Sequence, residues 1–215
     1  MTDIQSFHCQ VLPVTAIDQA AKVTADAFLN SPTYVYIFRG DKEYRRGALE
    51  WLFQRNMILV QNLCPSAFRG MLNREGEVVA CFLWTPSRYT NLSTWDLLKA
   101  GLWQMPFLFG PSTVARLLKV IDCFDEYEKK VLSEHDEYIM LERMVVRPDY
   151  QGQGLGTRCL KTVIAETSKR IQLATQETRN VSFYKRLGLT IAGEVDMFQN
   201  EKDYAFHCWF MSSGR

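Results

Sequence analysis

The sequence lacks an excess of either charge. It contains 25 Lys and Arg against 24 Asp and Glu, which leaves a formal net charge of +1. Binding to nucleic acid depends on a strong positive field, so we expect no nucleic acid as its main partner. The apolar runs are too short to span a bilayer, and residues 1–10 carry neither the basic nor the apolar part of a secretory signal. We therefore expect no signal peptide and no membrane partner.

The six cysteines also lack any paired spacing. Scattered cysteines are typical of proteins in a reducing compartment, where the thiol serves as a small apolar side chain. The three histidines, His8, His135 and His207, stand at no metal-ligand spacing relative to the cysteines. We expect a cytoplasmic protein without a metal.

Internal repeats and low-complexity linkers are missing as well, and the hydrophobic pattern gives one continuous series of elements. The pattern predicts strands at 9–14, 68–72, 78–84, 137–146, 171–175, 189–198 and 203–211. It predicts helices at 15–29, 41–63, 155–169 and 181–187, with Thr15 and Asn180 as N-caps, and a helical insert at 91–131 that Gly110 and Pro111 divide in two. This order indicates a single mixed α/β domain, 1–215, with one right-handed crossover in its second half.

The most informative stretch is 145–160, VVRPDYQGQGLGTRCL. Pro148 closes a strand because it cannot donate to a ladder, three glycines follow, and a helix begins at once. Glycines let backbone N–H groups approach a ligand, and a helix N-terminus adds unpaired donors. The segment therefore predicts an anion site for a phosphate or pyrophosphate. The dinucleotide pattern G-x-G-x-x-G fails because Thr157 stands at its last position, and no Walker lysine follows. A plain glycine-rich turn is the alternative.

Two motifs resemble one enzyme superfamily. The pattern Val-x-Pro-x-x-Gln-Gly-x-Gly-x-Gly resembles the acetyl-CoA signature of the GCN5-related N-acetyltransferases, Gln/Arg-x-x-Gly-x-Gly/Ala, with Gln151, Gly154 and Gly156 in the matching positions. Residues 179–189, RNVSFYKRLGL, are similar to that family's Asn-x-x-x-x-Phe-Tyr-x-x-x-Gly-Phe region, shortened so that Asn180 directly precedes the helix. The long helical insert before the central strand resembles small-molecule enzymes of the puromycin acetyltransferase kind.

The resemblance implies a fold and a donor site. The fold would be a central, twisted, mostly antiparallel sheet, in which two parallel strands beside a crossover helix splay apart. Acetyl-CoA would be the co-substrate, with its pantetheine arm in that gap. The pantetheine arm would pair with the strand backbone of Met144, Val145 and Val146. The pyrophosphate would lie on the loop backbone of Gln151, Gly152, Gln153, Gly154, Leu155, Gly156 and Thr157. Asn180 and Tyr184 would also contact the cofactor.

Direct transfer of an acetyl group to an amine calls for a general base and a general acid. By the resemblance, Tyr184 is the acid that protonates the CoA thiolate; a core tyrosine is the alternative. We expect Glu142 to be the base, directly or through water, because a charge in the apolar strand YIMLERMVV is costly unless it faces a cleft or a partner. Strand alternation would put residues 140, 142, 144 and 146 on one face. A salt bridge with Arg143, or a carboxylate that binds substrate, is the alternative for Glu142.

The acceptor is expected to be a small primary amine, because aromatic side chains fill the insert and acids cluster beside it. Those acids are Asp122, Asp125, Glu126, Glu128, Glu134, Asp136, Glu137 and Glu142. A solvated helix face would explain the acids equally well, and Cys159 is expected to be a core thiol rather than a nucleophile. Acetylation of a protein N-terminus or lysine, and a non-catalytic acyl-CoA-binding module, stay open alternatives. The protein would be a monomer or a homodimer.

Overall fold

The computed structural model describes residues 7–90, 94–131 and 137–214. Within these ranges the chain forms seven strands and eight α-helices. The strands are β1 (Gln10–Val11), β2 (Phe68–Leu72), β3 (Val78–Pro86), β4 (Tyr138–Val146), β5 (Arg170–Thr175), β6 (Leu189–Met197) and β7 (Phe206–Ser213). The helices are α1 (Ile17–Phe28), α2 (Pro32–Ile37), α3 (Lys42–Leu63), α4 (Thr94–Lys99), α5 (Met105–Phe109), α6 (Pro111–Val131), α7 (Leu155–Ala165) and α8 (Thr178–Lys185).

All seven strands join one sheet in the order β1-β2-β3-β4-β5-β7-β6. Every neighbouring pair is antiparallel except β4 and β5, which are parallel and joined through α7. The mixed fold with a mostly antiparallel sheet and one crossover helix is therefore confirmed. Its one parallel pair lies next to the glycine-rich segment, because that segment begins the crossover.

The sheet separates two apolar cores. Ala20, Phe53, Leu83 and Val145 belong to the core on the face of α1 and α3, whereas Phe82 belongs to the other. The core on the α7 and α8 face includes Ile139, Leu155, Cys159, Leu160, Val163 and Tyr184. A strand covered on both faces is apolar at almost every position, and β3, with sequence VVACFLWTP, has this pattern.

Two predicted N-caps are wrong. Thr15 lies inside a 3-10 turn, Val14–Ala16, and α1 begins after Ala16 without a side-chain cap. The helix α8 begins three residues earlier than predicted, with Glu177 as its N-cap residue, so Asn180 lies within the helix. The α-helix therefore begins after Thr15, at Ile17, whereas α8 begins before Asn180, at Thr178. Gly188, at φ +90°, follows the C-terminus of α8 as expected.

Other bounds differ in detail. The first strand is shorter than predicted, α7 ends at Ala165 rather than near 169, and the sequence pattern missed α2, which begins at Pro32. Proline fits the first turn of a helix: α1 ends at Phe28, before Pro32, and a second helix begins at Pro32 itself. The insert was predicted to contain two helices, whereas its described part contains three, α4, α5 and α6. The predicted division is present, since Gly110 follows α5 and Pro111 begins α6. Residues 91–93 of the predicted insert lie outside the described residues.

Strand β4 carries a bulge that the sequence pattern did not predict. Leu83 pairs with Glu142 and Cys81 with Val145, so two residues of β4, Arg143 and Met144, lie opposite one residue of β3. Arg143 adopts φ 53°, the left-handed conformation. The bulge shifts the alternation of side chains along β4, so the predicted common face of residues 140, 142, 144 and 146 is wrong.

Candidate active site

The parallel strands β4 and β5 separate soon after they meet. Pairing joins Tyr138 to Arg170 and continues only to Met140 and Gln172, although β4 runs on to Val146. Beyond that point β5 pairs with β7 on its other edge. The part of β4 that contains Met144, Val145 and Val146 therefore presents its β5-side edge to a gap, which is the arrangement predicted for the donor site.

The glycine-rich loop ends in a helix N-terminus that no side chain of the described residues caps. Gly152 and Gly154 both have φ +76°, which glycine adopts without cost and other residues rarely do. The first N–H groups of α7, from Leu155 to Thr157, precede the first intrahelical bond, which Arg158 donates to Gly154. Gln151 donates from Nε2 to the carbonyl oxygen of Val146 over 2.8 Å and so ties the loop to the end of β4. The geometry fits a pyrophosphate.

Gly156 brings the loop, β4 and α8 together. A Cβ at this glycine would lie 3.5 Å from Met144 Cε, 3.5 Å from Val146 Cγ2 and 3.6 Å from Phe183 Cζ. Met144 and Val146 thus face α7, whereas Glu142 faces the opposite side, as the bulge requires. The sequence analysis did not single out Phe183, although it precedes Tyr184 in the second motif.

Arg147 stiffens the start of the loop. Its guanidinium donates to Asp149 at 2.7 Å and to Glu77 at 3.1 Å, and it lies 4.8 Å from the centre of the Tyr150 ring. Hydrogen bonds from Arg147 lower the pKa of both carboxyl groups. Arg147 is therefore already paired with two carboxylates at the start of the loop.

Tyr184 is buried, with 8% of its surface exposed, in the core cluster that also contains Leu155 and Val181. Its ring lies against Phe183, with 5.1 Å between centroids. Burial raises the pKa of the phenol, so Tyr184 keeps its proton at neutral pH. The predicted acid role and the alternative of a core tyrosine both agree with this position.

Asn180 holds α8 to the end of β5. Its Nδ2 donates to Thr175 Oγ1 over 3.2 Å. This hydrogen bond places Asn180 beside β5, which is one edge of the gap.

Glu142 lines a cavity of about 680 Å³ on the opposite face of β4 from α7. Arg143 Nη1 donates to its Oε1 over 2.9 Å, so the predicted salt bridge exists. Arg143 lines the same cavity and lies 5.7 Å from the centre of the Phe53 ring. The salt bridge leaves Glu142 about one third exposed, within reach of a molecule in the cavity.

Glu128 is a candidate that the sequence analysis had not separated from its neighbours. It lines the cavity together with Asp125 and Glu142. Burial first, and then the charges of Asp125 and Glu142, raise its pKa from 4.5 to about 7. A signal was present in the sequence: Glu128 falls on the helical stripe of Ile121 and Phe124, where an apolar residue is expected.

The other predicted acids have different positions. Glu126 binds Lys130, and Glu137 binds Lys169. Glu134, His135 and Asp136 lie outside the described residues. Cys159 is fully buried in the core cluster beneath α7, and its pKa is raised by its hydrogen bond with Cys9 and by burial, so it is a core thiol as expected.

Among the described residues, no three or more His, Cys, Asp or Glu side chains are placed to hold a metal ion. No helix in the described part of the chain is long and apolar enough to cross a membrane.

Sequence comparison identifies a domain in the part of the chain that forms this site. Residues 119–190 match the family described as "Acetyltransferase (GNAT) domain". The matched range includes β4, the glycine-rich loop, α7, β5 and α8. A comparison with curated protein sequences finds no match.

Solved structures with the same fold cover nearly the whole chain. A histone acetyltransferase HPA2 and related acetyltransferase from Corynebacterium glutamicum is 17% identical, with a TM-score of 0.62 over 97% of this chain and 96% of its own. A Drosophila melanogaster polyamine N-acetyltransferase that forms N-acetylagmatine is 10% identical, with a TM-score of 0.63 over 98% and 100%. Arylalkylamine N-acetyltransferase 2 from Aedes aegypti is 10% identical, with a TM-score of 0.65 over 97% and 98%.

At these identities the structural similarity establishes the fold, and the family match places an acetyltransferase domain on the splayed strands. The fold is that of the GCN5-related N-acetyltransferases. The enzyme class predicted from the sequence, an acetyl-CoA-dependent N-acetyltransferase, is confirmed.

Proposed function

We propose that this protein moves the acetyl group of acetyl-CoA to the primary amine of a small molecule, by direct transfer in a ternary complex. One observation carries the proposal. The gap between β4 and β5 lies between an uncapped helix N-terminus and a cavity with carboxylates at the gap. A donor and an acceptor can therefore approach each other through the gap.

On the donor side, the loop backbone of residues 151–157 binds the pyrophosphate, and the free edge of β4 at Met144–Val146 pairs with the pantetheine arm. The loop fits this role because its glycines expose N–H groups and Arg147 is already held by Asp149 and Glu77. Asn180 keeps β5 and α8 in place at the other edge.

The transfer step needs no covalent enzyme intermediate. The neutral amine attacks the thioester carbonyl, a C–N bond forms, and the C–S bond breaks. Glu142 takes the amine proton directly or through water, and Tyr184 gives its proton to the departing thiolate. A base and an acid contribute roughly 100- to 10,000-fold each, and positioning of the two substrates contributes several kcal/mol more.

A small acceptor is favoured over a protein by the position of the helical insert. Helices α4, α5 and α6 form a wall of the cavity, whereas a protein tail needs an open groove. Two of the similar structures bear names that state small amines as substrates, and one bears the name of a histone acetyltransferase. Acetylation of a protein N-terminus or lysine, or acyl-CoA binding without catalysis, are the competing proposals.

We also propose that residues 1–215 form a single domain, since strands from both halves of the chain join one sheet. All six cysteines are free thiols, which supports a cytoplasmic location. A monomer or a homodimer agrees with a site formed by one chain.

Thermal unfolding with acetyl-CoA tests the donor half. At a ligand concentration near 100 times Kd, stabilisation is about 2.7 kcal/mol, or roughly 5–10 °C in Tm for a chain of this size. Release of CoA with small amines, but not with a lysine-containing peptide, tests the acceptor half. If millimolar acetyl-CoA leaves Tm unchanged, the proposal is wrong.

A further inference from the structure

The cavity beside Glu142 has the size and lining of a ligand site. Its volume of about 680 Å³ falls in the range of roughly 300–1,000 Å³ that is usual for small-molecule pockets. Helix α3, strand β4 and helices α4 to α6 supply its walls, and most of the lining side chains are aliphatic or aromatic. Ala174 and Gln176, from the end of β5, also line it, so the cavity reaches the gap between β4 and β5.

Charge is confined to one part of the lining. Asp125, Glu128 and Glu142 are close enough for the charges of the other two to affect Glu128. Arg143 is the one cation among the described lining residues, and it already binds Glu142. An excess of negative charge therefore lies beside the gap, and the other described lining residues include no carboxylate for a second cation.

A few polar side chains interrupt the apolar lining. Thr33, Asn56 and Thr85 line the cavity, and Thr85 is 4% exposed and Thr33 8% exposed. Their polar oxygens are shielded from the cavity and find no partner among the described residues, so the accessible lining of this part of the cavity is mainly apolar.

Large apolar side chains of the insert stay exposed where they line this cavity. Trp103 is 54% exposed, Leu118 is 53% exposed and Ile121 is 43% exposed. Contiguous exposed apolar surface at a pocket marks a binding region. A ligand with an apolar body would cover these side chains and stabilise its own binding at about 25 cal/mol per Å² buried.

We infer that the acceptor is a bulky, mostly apolar monoamine, with its amine among Glu128, Asp125 and Glu142 and its body in the cavity. This inference rests on the proposed transfer of an acetyl group to a small amine. The single charged region disfavours a polyamine relative to a monoamine, because the described lining gives a second ammonium no carboxylate partner. It also excludes a lysine of a protein, whose flanking peptide groups would need many more polar partners than the lining has.

Two probes that differ by one ammonium group test the inference: n-octylamine and 1,8-diaminooctane, each with saturating acetyl-CoA. We expect kcat/KM for octylamine to exceed that for the diamine by 100-fold or more. We also expect calorimetry with CoA present to give tighter binding for octylamine. Equal values for the two probes, or faster turnover of a lysine-containing peptide, overturn the inference while the proposed function stands.

Charge-neutral variants of α6 supply the second measurement. Glu128→Gln should raise KM for octylamine by tenfold or more and leave KM for acetyl-CoA unchanged. The matched control is Glu126→Gln, two residues away, where the carboxylate binds Lys130; it should change neither constant. An unchanged KM for octylamine in Glu128→Gln, with Tm preserved, overturns the placement of the amine.

The experiments distinguish a failure of the proposed acetyl transfer from a failure of the monoamine inference. If octylamine binds with the expected dependence on Glu128 but no amine releases CoA, then the cavity binds a monoamine and the transfer proposal is wrong. If octylamine neither binds nor reacts while acetyl-CoA still raises Tm, the monoamine inference is wrong.

Discussion

Glu142 and Arg143 are adjacent in a strand and yet bind each other, with Arg143 Nη1 donating to Glu142 Oε1 over 2.9 Å. In a regular strand their side chains would point to opposite faces of the sheet. The bulge at Arg143, at φ 53°, brings both to the cavity side. The bulge lies in the part of β4 that follows the end of its pairing with β5 at Met140, so the carboxylate is placed beside the gap.

Gly154 is expected to be essential for the donor site. Its φ of +76° makes Gly154→Ala cost about 1–2 kcal/mol, and the methyl group would extend toward the loop surface where the pyrophosphate binds. We expect Kd for acetyl-CoA, measured by calorimetry, to rise tenfold or more. The control is Gly76→Ala, at φ +80° in the β2–β3 turn, where the added methyl also meets no neighbour. It should lower Tm similarly with Kd unchanged, and equal Kd values for both variants would contradict the assignment.

Tyr184→Phe should separate catalysis from binding. The phenol keeps its proton because burial raises its pKa, so its loss removes an acid. We expect kcat to fall by roughly 100-fold or more with Kd for acetyl-CoA and Tm close to the parent values. A variant with unchanged kcat would show that Tyr184 only packs the core.

Glu142→Gln should lower kcat/KM for the amine by a similar factor when measured below the pKa of the free amine, where a base is needed. Raising the pH supplies neutral amine directly, so the defect should shrink as pH rises. Arg143 remains hydrogen-bonded to the amide oxygen in this variant, and the fold should persist. A defect of the same size at every pH would contradict the base role and leave Glu142 as a binding carboxylate.

Glu128 should make the free protein less stable as pH rises. Its pKa in the folded state is raised from 4.5 to about 7, so the folded protein holds this proton to higher pH than the unfolded chain does. The contribution of this proton to the free energy of unfolding is fully present below pH 4.5 and is lost as pH rises through 7. We expect the free energy of unfolding of Glu128→Gln, measured with urea, to rise relative to that of the parent protein as the pH is raised from 5 to 8. The expected relative rise is up to about 3 kcal/mol.

Glu126→Gln is the reference for that comparison. Lys130 lowers the pKa of the exposed Glu126 carboxylate. The free energy of unfolding of Glu126→Gln should therefore not rise relative to that of the parent protein as pH rises. If the free energies of unfolding of Glu128→Gln and of the parent protein change in parallel between pH 5 and 8, Glu128 is better solvated than the structure indicates.

The geometry of the proposed donor site was predictable from the sequence because it is local. A strand, glycines at 152, 154 and 156, and a helix N-terminus are consecutive, and their backbone geometry follows from residue type. The positions of the strands along the chain, including the two at 68–72 and 78–84, followed in the same way from the hydrophobic period and the turn residues. The helix starts at Thr15 and Asn180 were wrong because a capping residue competes with neighbours that can also begin a helix.

The acceptor side was decided by tertiary structure. Glu128 and Glu142 are distant in sequence, and only the packing of α6 beside β4 makes them neighbours, buries one and pairs the other with Arg143. The bulge that turns Arg143 toward the cavity has no glycine to mark it, so strand alternation gave the wrong face. The sequence by itself determined the fold class and the glycine-rich turn before α7 through local backbone preferences. The cavity, its charged region and the pKa of Glu128 depend on long-range packing and desolvation, which no local pattern encodes.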